Sequence, residues 1–259
     1  MSPDIWTRCA ARCEPRRLRR VAHRVVESQS VVSTRKLVDT DAEQIVLERL
    51  LEAVKPPMPR GPRFDRLHYL LSTPFRYPPL VRGSRFGAPT ERGAWYGALR
   101  LPTAFAEVAY YRLVFLEGTA ARIEPLSVGL TSFRAAIDAR RAVDLTAPPF
   151  DAFEREISSP VRYTASQLLG RRLREAGIEA CLYRSARDPD RGTCIALFEP
   201  VFGRPEPWDL QEWWCVATRA RVEISPRSVA TARSPDAQRH AFDRACFEVD
   251  GRLPTPALS

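Results

Sequence analysis

The sequence predicts an α+β fold, and three observations predict it. Segments with strand-like and helix-like patterning are both present, but they do not alternate regularly as in a doubly wound sheet. No strand-like segment leads into G-x-G-x-x-G, and G-x-x-x-x-G-K-[ST] is absent, so neither the dinucleotide-binding α/β fold nor a P-loop fold is indicated. There is no internal repeat and no low-complexity tract.

The first forty residues carry a basic cluster, Arg16, Arg17, Arg19 and Arg20, followed by an alternating run from Val21 to Val26 that predicts a short strand. Thr40, Asp41, Ala42 and Glu43 make a capping box ahead of Ile45, Val46, Leu47, Leu50, Leu51 and Val54, so a helix begins there. It must stop at Lys55, because Pro56, Pro57 and Pro59 follow. That proline-rich stretch is the clearest internal boundary. It separates an N-terminal extension with one helix (1–60) from a core (61–202), and a tryptophan-containing extension (203–259) is expected to pack on the core.

Within the core, residues 70–79 read as extended and stiffened by Pro74, Pro78 and Pro79. Gly83, Gly87 and Gly93 punctuate a loop that leads into a short strand over 94–98. Pro102 suits the first position of a helix, and Phe105, Val108, Ala109, Val114 and Phe115 give that helix an apolar stripe up to Gly118. Residues 121–146 predict two or more strands with turns between them. Thr164, Ala165, Ser166 and Gln167 form a second capping box, opening a helix that ends at Gly177. A strand over 178–185, a polar loop over 187–192 and a returning strand over 193–198 follow. A late helix is expected near 235–246.

Composition narrows the class. Of 259 residues, 44% are hydrophobic and 27% charged, which supports a packed core rather than disorder. No run approaches the ~18–20 apolar residues of a membrane span, and the start of the chain has no continuous apolar segment of the kind a secretory signal needs. The cytoplasm is the expected compartment, with no membrane partner. The net charge is +9, carried almost entirely by arginine, since lysine occurs only at 36 and 55. Arginine is the better fork for phosphate and carboxylate, so phosphorylated ligands or acidic partners are favoured, although most of these residues read as a solvated basic surface. Cys9 and Cys13 are spaced C-x3-C without a second Cys or His pair, and the histidines at 23, 68 and 240 are far apart, so no metal site is expected. Cys181 and Cys194 lie in apolar runs and read as buried thiols.

Three places combine polar residues with glycine punctuation or a strand end. Arg85 lies between Gly83 and Gly87, where backbone can approach a ligand closely while a guanidinium forks onto phosphate. Glu107 is a carboxylate amid Ala104, Phe105, Ala106, Val108 and Ala109, beyond Trp95 and Tyr96 on their short strand. Ser185 ends a strand without the G-x-S-x-G of a nucleophile elbow. Taken singly, each has a plainer reading: a surface turn, a solvated helical residue, a turn former.

Taken together they do not. The run Thr73 to Pro79, then Gly83-Ser84-Arg85-Phe86-Gly87, then Ala94-Trp95-Tyr96-Gly97-Ala98, then Thr103 to Arg112 closely resembles the RES-domain family. Tyr183 to Arg187 and Ile195 to Phe198 resemble its C-terminal motif, and the resemblance covers roughly residues 65–200 in four ordered segments. It implies a split mixed β-sheet with surrounding helices, similar to the ADP-ribosyltransferase toxin fold, around a cleft for NAD. It implies an enzyme that degrades NAD by phosphorolysis or hydrolysis of the nicotinamide–ribose bond, as the toxin of a bacterial toxin–antitoxin pair, held in check by a DNA-binding antitoxin. A homodimer is left open. The family's Arg, Tyr, Glu and Ser fall on Arg85, Tyr96, Glu107 and Ser185. Glu107 is then expected to stabilise an oxocarbenium-like centre, Arg85 to clamp the diphosphate or an attacking phosphate, Tyr96 to stack on nicotinamide or ribose, and Ser185 to hydrogen-bond the substrate. NAD is substrate rather than cofactor, with inorganic phosphate a candidate co-substrate. Two other readings stand beside this one: ADP-ribose transfer to a macromolecule in the same cleft, and a basic nucleic-acid-binding protein without catalysis, which lacks a reader motif here.

Overall fold

The structure, a computed structural model, describes the chain except for residues 1–3, 29–36, 80, 122, 124, 228–231, 233–237 and 257–259. Among the described residues, eight strands and six α-helices form a mixed α+β architecture: α1 (Ile5–Cys9), β1 (Arg16–Glu27), α2 (Asp41–Ala53), α3 (Tyr69–Ser72), β2 (Trp95–Ala98), α4 (Leu101–Glu117), β3 (Leu126–Asp144), α5 (Glu154–Ile157), α6 (Thr164–Glu175), β4 (Ala180–Arg184), β5 (Thr193–Leu197), β6 (Trp208–Ala217), β7 (Arg221–Pro226) and β8 (His240–Asp243). The strand order is β1-β2-β5-β4-β3-β6-β7-β8, and β1 also pairs with β3. The first five strands of that order therefore close a ring, from which β6, β7 and β8 continue off the other end of β3. The β3–β4 pairing is parallel and the others are antiparallel.

So few strands can close because the ring's interior is filled largely by small side chains. Ala22, Ala135, Ala139, Ala142 and Ala180 share one buried cluster with Trp95, Phe133, Leu182, Ile195 and Leu197, drawn from all five ring strands. The ring is least complete between β1 and β2, which share only the pair His23↔Ala98. Two further clusters lie outside it. One packs α6 and Phe86 against Cys181, Tyr183 and Cys194, and the other packs α4 against β6, β7 and β8. No helix among the described residues is long and apolar enough to cross a membrane.

Several elements follow the sequence closely. The first capping box forms in full, with Glu43 N–H donating to Thr40 Oγ1 and the Glu43 carboxylate accepting from Thr40 N–H. Others differ. Residues 121–146 are one 19-residue strand rather than several. Its charged positions Arg134, Asp138 and Arg140 sit within a strand that β1 pairs on one side over 130–142 and that absorbs its curvature in a register shift between Ser132 and Arg134 on the β6 side. The stretch expected to be extended near 70–79 begins as α3 and a 3-10 turn over Thr73–Phe75. The reason is that Leu70, Leu71 and Phe75 must face the ring's core, and Pro74 sits early in its turn, where no N–H is required. The late helix expected near 235–246 is instead β8 followed by a 3-10 turn over Arg244–Phe247, with 235–237 outside the described residues. Pairing with β7 overrides the helical pattern there.

The second capping box does not form, and its failure matters. The helix begins one residue earlier, with Tyr163 at its N-cap and no side-chain cap. Gln167 is spent elsewhere: its Nε2 donates to the carbonyls of Arg82 (2.7 Å) and Ser84 (3.1 Å), tying α6 to the loop that carries Arg85. Gly170 completes this seam, since a Cβ there would lie 2.2 Å from the Phe86 carbonyl oxygen. Gly170→Ala is expected to push α6 off the loop and destabilise the fold by ~1–3 kcal/mol, the usual cost of overpacking, read as a lowered denaturation midpoint. An unchanged midpoint would show the seam to be loose.

Candidate active site

A cavity of about 280 Å³ lies outside the ring, bounded by β1, β2 and β5, by α4 and by the Arg85 loop. Arg85, Tyr96 and Glu107 all line it, so residues from a loop, a strand and a helix converge on one space.

The loop is built to aim Arg85. Ser84 and Gly87 bridge each other through both backbone groups, leaving Arg85 and Phe86 at the tip. Gly83 has φ +85°, a conformation side chains resist, and a Cβ there would lie 2.4 Å from both Gln167 Nε2 and Gly87 O. Phe86 is fully buried, edge-on to Tyr183 and Phe198, and so anchors the tip. Arg85 is itself buried, with Nη1 donating to the carbonyls of Ile157 (3.1 Å) and Ser159 (3.0 Å) and the guanidinium 4.8 Å from the Tyr163 ring centre. Its Nε and Nη2 make no hydrogen bond among the described residues. Burial pushes its pKa down, but Tyr163, Tyr183, Glu107 and Tyr111 outweigh that, and the net direction is upward. It stays a cation.

Tyr96 does more than line the cavity. Its hydroxyl is 2.9 Å from Ser84 Oγ and accepts from Phe86 N–H at 3.2 Å, so it holds the tip of the loop. Burial raises its pKa, opposed by the Ser84 and Phe86 hydrogen bonds. Tyr96→Phe keeps the ring but leaves a loop N–H unpaired, and is expected to cost ~1–3 kcal/mol in stability by denaturant unfolding. A variant as stable as the parent would deny the hydroxyl that role.

Glu107 sits mid-way along α4. Its Oε1 accepts from Ser185 Oγ at 2.5 Å and lies 3.8 Å from Cys194 Sγ. Its other oxygen has no partner among the described residues. Ser185 is completely buried and stands behind Glu107 rather than in the cavity wall. The serine's hydroxyl donates to the carboxylate and accepts from Arg187 N–H (3.1 Å) and Asp188 N–H (3.0 Å). With those three bonds its hydrogen-bonding capacity is filled, and it orients the Glu107 carboxylate from behind. The 187–192 loop is fixed in turn: Asp188 Oδ2 accepts from Thr103 Oγ1 (2.6 Å) and Gly192 N–H (3.1 Å), locking the loop to the start of α4.

Sequence reasoning missed several wall residues. Tyr111, Tyr163 and Tyr183 line the cavity, and burial raises the pKa of Tyr111 and Tyr183 well above the ordinary phenol. Tyr111 was findable, since it lies four residues beyond Glu107 on the same helical face. His23, Arg24 and Val25 of β1 reach the same wall from the N-terminal segment, for which no local signal existed. Cys194 is a buried thiol whose pKa is raised strongly by burial, then by Glu107, which keeps it protonated. Among the described residues no three His, Cys, Asp or Glu side chains are grouped to hold a metal ion.

The arrangement provides a fixed carboxylate and a fixed guanidinium in a cavity lined by tyrosines, able to stabilise developing positive charge beside a bound anion. No curated protein matches the chain. Among solved structures, the crystal structure of the M. tuberculosis MbcT–MbcA toxin–antitoxin complex is similar at 12% identity and a TM-score of 0.47, over 83% of this chain and 92% of that one. The family model described as the RES domain matches residues 60–217, more than half of the chain and the whole span from α3 to β6, and the protein belongs to the RES-domain family.

Proposed function

We propose that this protein cleaves the nicotinamide–ribose bond of NAD, by phosphorolysis or hydrolysis, acting in the cytoplasm as the toxin of a toxin–antitoxin pair. The observation that carries the reading is the Glu107 carboxylate, pinned through one oxygen by Ser185 in a cavity whose wall also holds the Arg85 guanidinium.

The chemistry asks for little more. When the C1′–N bond breaks, its electron pair leaves with the nicotinamide ring, which becomes neutral and needs no proton. Positive charge gathers on C1′ and the ribose ring oxygen, and a carboxylate already oriented by its serine stabilises it without reorganising. The Nε and Nη2 donors of Arg85 offer a fork to the diphosphate or to an attacking phosphate. If a phosphate oxygen forms the new bond to C1′, the product is the 1-phosphate ester of ADP-ribose. If water does so, the product is ADP-ribose and the released proton passes to Glu107. The partner in this proposal is a DNA-binding antitoxin that closes the cavity with an acidic segment paired to Arg85, an encounter that the net charge of +9 would speed at low salt.

Proton and phosphorus NMR of NAD with the protein, with and without inorganic phosphate, tests the reaction. Nicotinamide should be released. A new phosphate ester that needs added phosphate identifies phosphorolysis, and ADP-ribose under both conditions identifies hydrolysis. Intact NAD, or label transferred to an added protein or nucleic acid, would overturn the proposal.

A further inference from the structure

The cavity holding Glu107, at about 280 Å³, is smaller than the ~300–1,000 Å³ usual for sites of small organic ligands, so a dinucleotide must extend beyond it. A second cavity of about 500 Å³ lies at the mouth of the ring, between β1, the segment just after α2, and the stretch from Tyr69 to Tyr77. Arg24 borders both cavities. It stands where β1 and β2 part after their single residue pair, and its Nη1 crosses the opening to donate to the Tyr96 carbonyl at 2.6 Å.

Arg24 carries the marks of a cation waiting for an anion. It has no carboxylate partner among the described residues, and desolvation lowers its pKa to about 10. Its Nε is buried without an acceptor. So is Nε1 of Trp95, whose ring centre lies 5.4 Å from the Arg24 guanidinium carbon. Trp95 lies inside the ring and lines neither cavity, whereas Arg24 borders both, and an orphaned guanidinium donor there points to an acceptor that belongs to a ligand. The rest of the second cavity suits a nucleotide. Tyr69 and Tyr77 are 48% and 39% exposed there, offering π-faces, while Lys55 and Arg76 add positive charge around the Glu52 carboxylate.

We propose that this second cavity binds the adenosine monophosphate half of the dinucleotide, with adenine stacked on Tyr69 or Tyr77 and the diphosphate at Arg24. The inference rests on the NAD reading of the first cavity and assigns the choice of a dinucleotide over a mononucleotide to β1 and the segment after α2. These precede the region matched by the family model.

Titration of AMP onto the full-length protein tests it, with NAD cleavage scored separately. AMP should bind, and Tyr69→Ala with Tyr77→Ala should weaken it on the order of tenfold or more, as loss of a stacking face does. Arg24→Gln, which leaves both tyrosines in place, should weaken AMP as well, and circular dichroism checks that each variant is folded. In the tyrosine double variant the preference for NAD over nicotinamide mononucleotide should shrink. AMP that fails to bind at millimolar concentration, or that binds all variants equally, overturns the site even if NAD is cleaved. AMP binding that depends on these residues in a protein that leaves NAD intact upholds the nucleotide site and refutes the NAD reading.

Discussion

Glu107→Gln is expected to lower NAD cleavage by ~10²–10³ while leaving the thermal transition in place. Glutamine keeps the length of the side chain and an oxygen that can still accept from Ser185 Oγ, so the buried serine stays satisfied. What disappears is the negative charge that would face the ribose in the proposed complex. A steady-state assay of nicotinamide release measures the loss, and circular dichroism checks the fold. In cells, overproduction of the parent should deplete NAD and arrest growth, whereas the Gln variant should be tolerated. A Gln variant that turns NAD over at the parent rate would end the assignment of Glu107. Arrest that persists with the variant would separate toxicity from NAD chemistry.

Arg85→Lys should be the next most damaging change, lowering kcat/KM on the order of 10². The wild-type guanidinium divides its groups: Nη1 is held by the Ile157 and Ser159 carbonyls, its carbon lies 4.8 Å from the Tyr163 ring centre, and Nε and Nη2 have no partner among the described residues and would serve the proposed ligand. A lysine ammonium gathers its three donors on one atom, so it cannot hold both buried carbonyls and still present a two-pronged fork to phosphate. Arg82 and Arg92 are exposed neighbours and serve as controls. If Arg82→Lys or Arg92→Lys proved harmful and Arg85→Lys harmless, the guanidinium in the cavity would not be the one that binds substrate.

Much of the architecture was legible where local chemistry and tertiary use agree. Thr40 and Glu43 cap α2 as their spacing demands, and the 187–192 loop turns β4 into β5 as its polar residues suggest. Legibility failed where a side chain serves a distant partner. Gln167 looks like half of a cap because helix starts favour that spacing, yet its amide holds the Arg85 loop. Residues 121–146 look like two or more strands because a single strand of 19 residues is rare, and no window of sequence contains the β1 and β6 partners that hold it together. At the site, the order Arg85, Tyr96, Glu107, Ser185 named residues that the structure brings close together. It did not reveal that Tyr96 holds the loop or that Ser185 stands behind the carboxylate, since both facts depend on hydrogen bonds between separate elements. Arg24 had no signal at all. Its situation arises only because β1 and β2 part just beyond His23.

Closing the ring through β1 and β3 also sets a timetable for synthesis. Chains emerge at about 5–20 residues per second, and strands whose partners lie far along the sequence must wait for them. β1 emerges early, but its partner stretch on β3, Leu130 to Ala142, follows only after α2, α3, β2 and α4. β2 waits longer still, for Cys194 to Leu197 on β5. A nascent chain therefore displays Arg24, Arg85 and Glu107 for many seconds before Ser185 and β5 arrive to enclose them. Under the proposed chemistry the growing polypeptide is inert until β5 is in place, and the hazard begins only once the chain has passed Leu197. The proposed antitoxin, if it recognises the finished cavity, would find nothing to bind before that point.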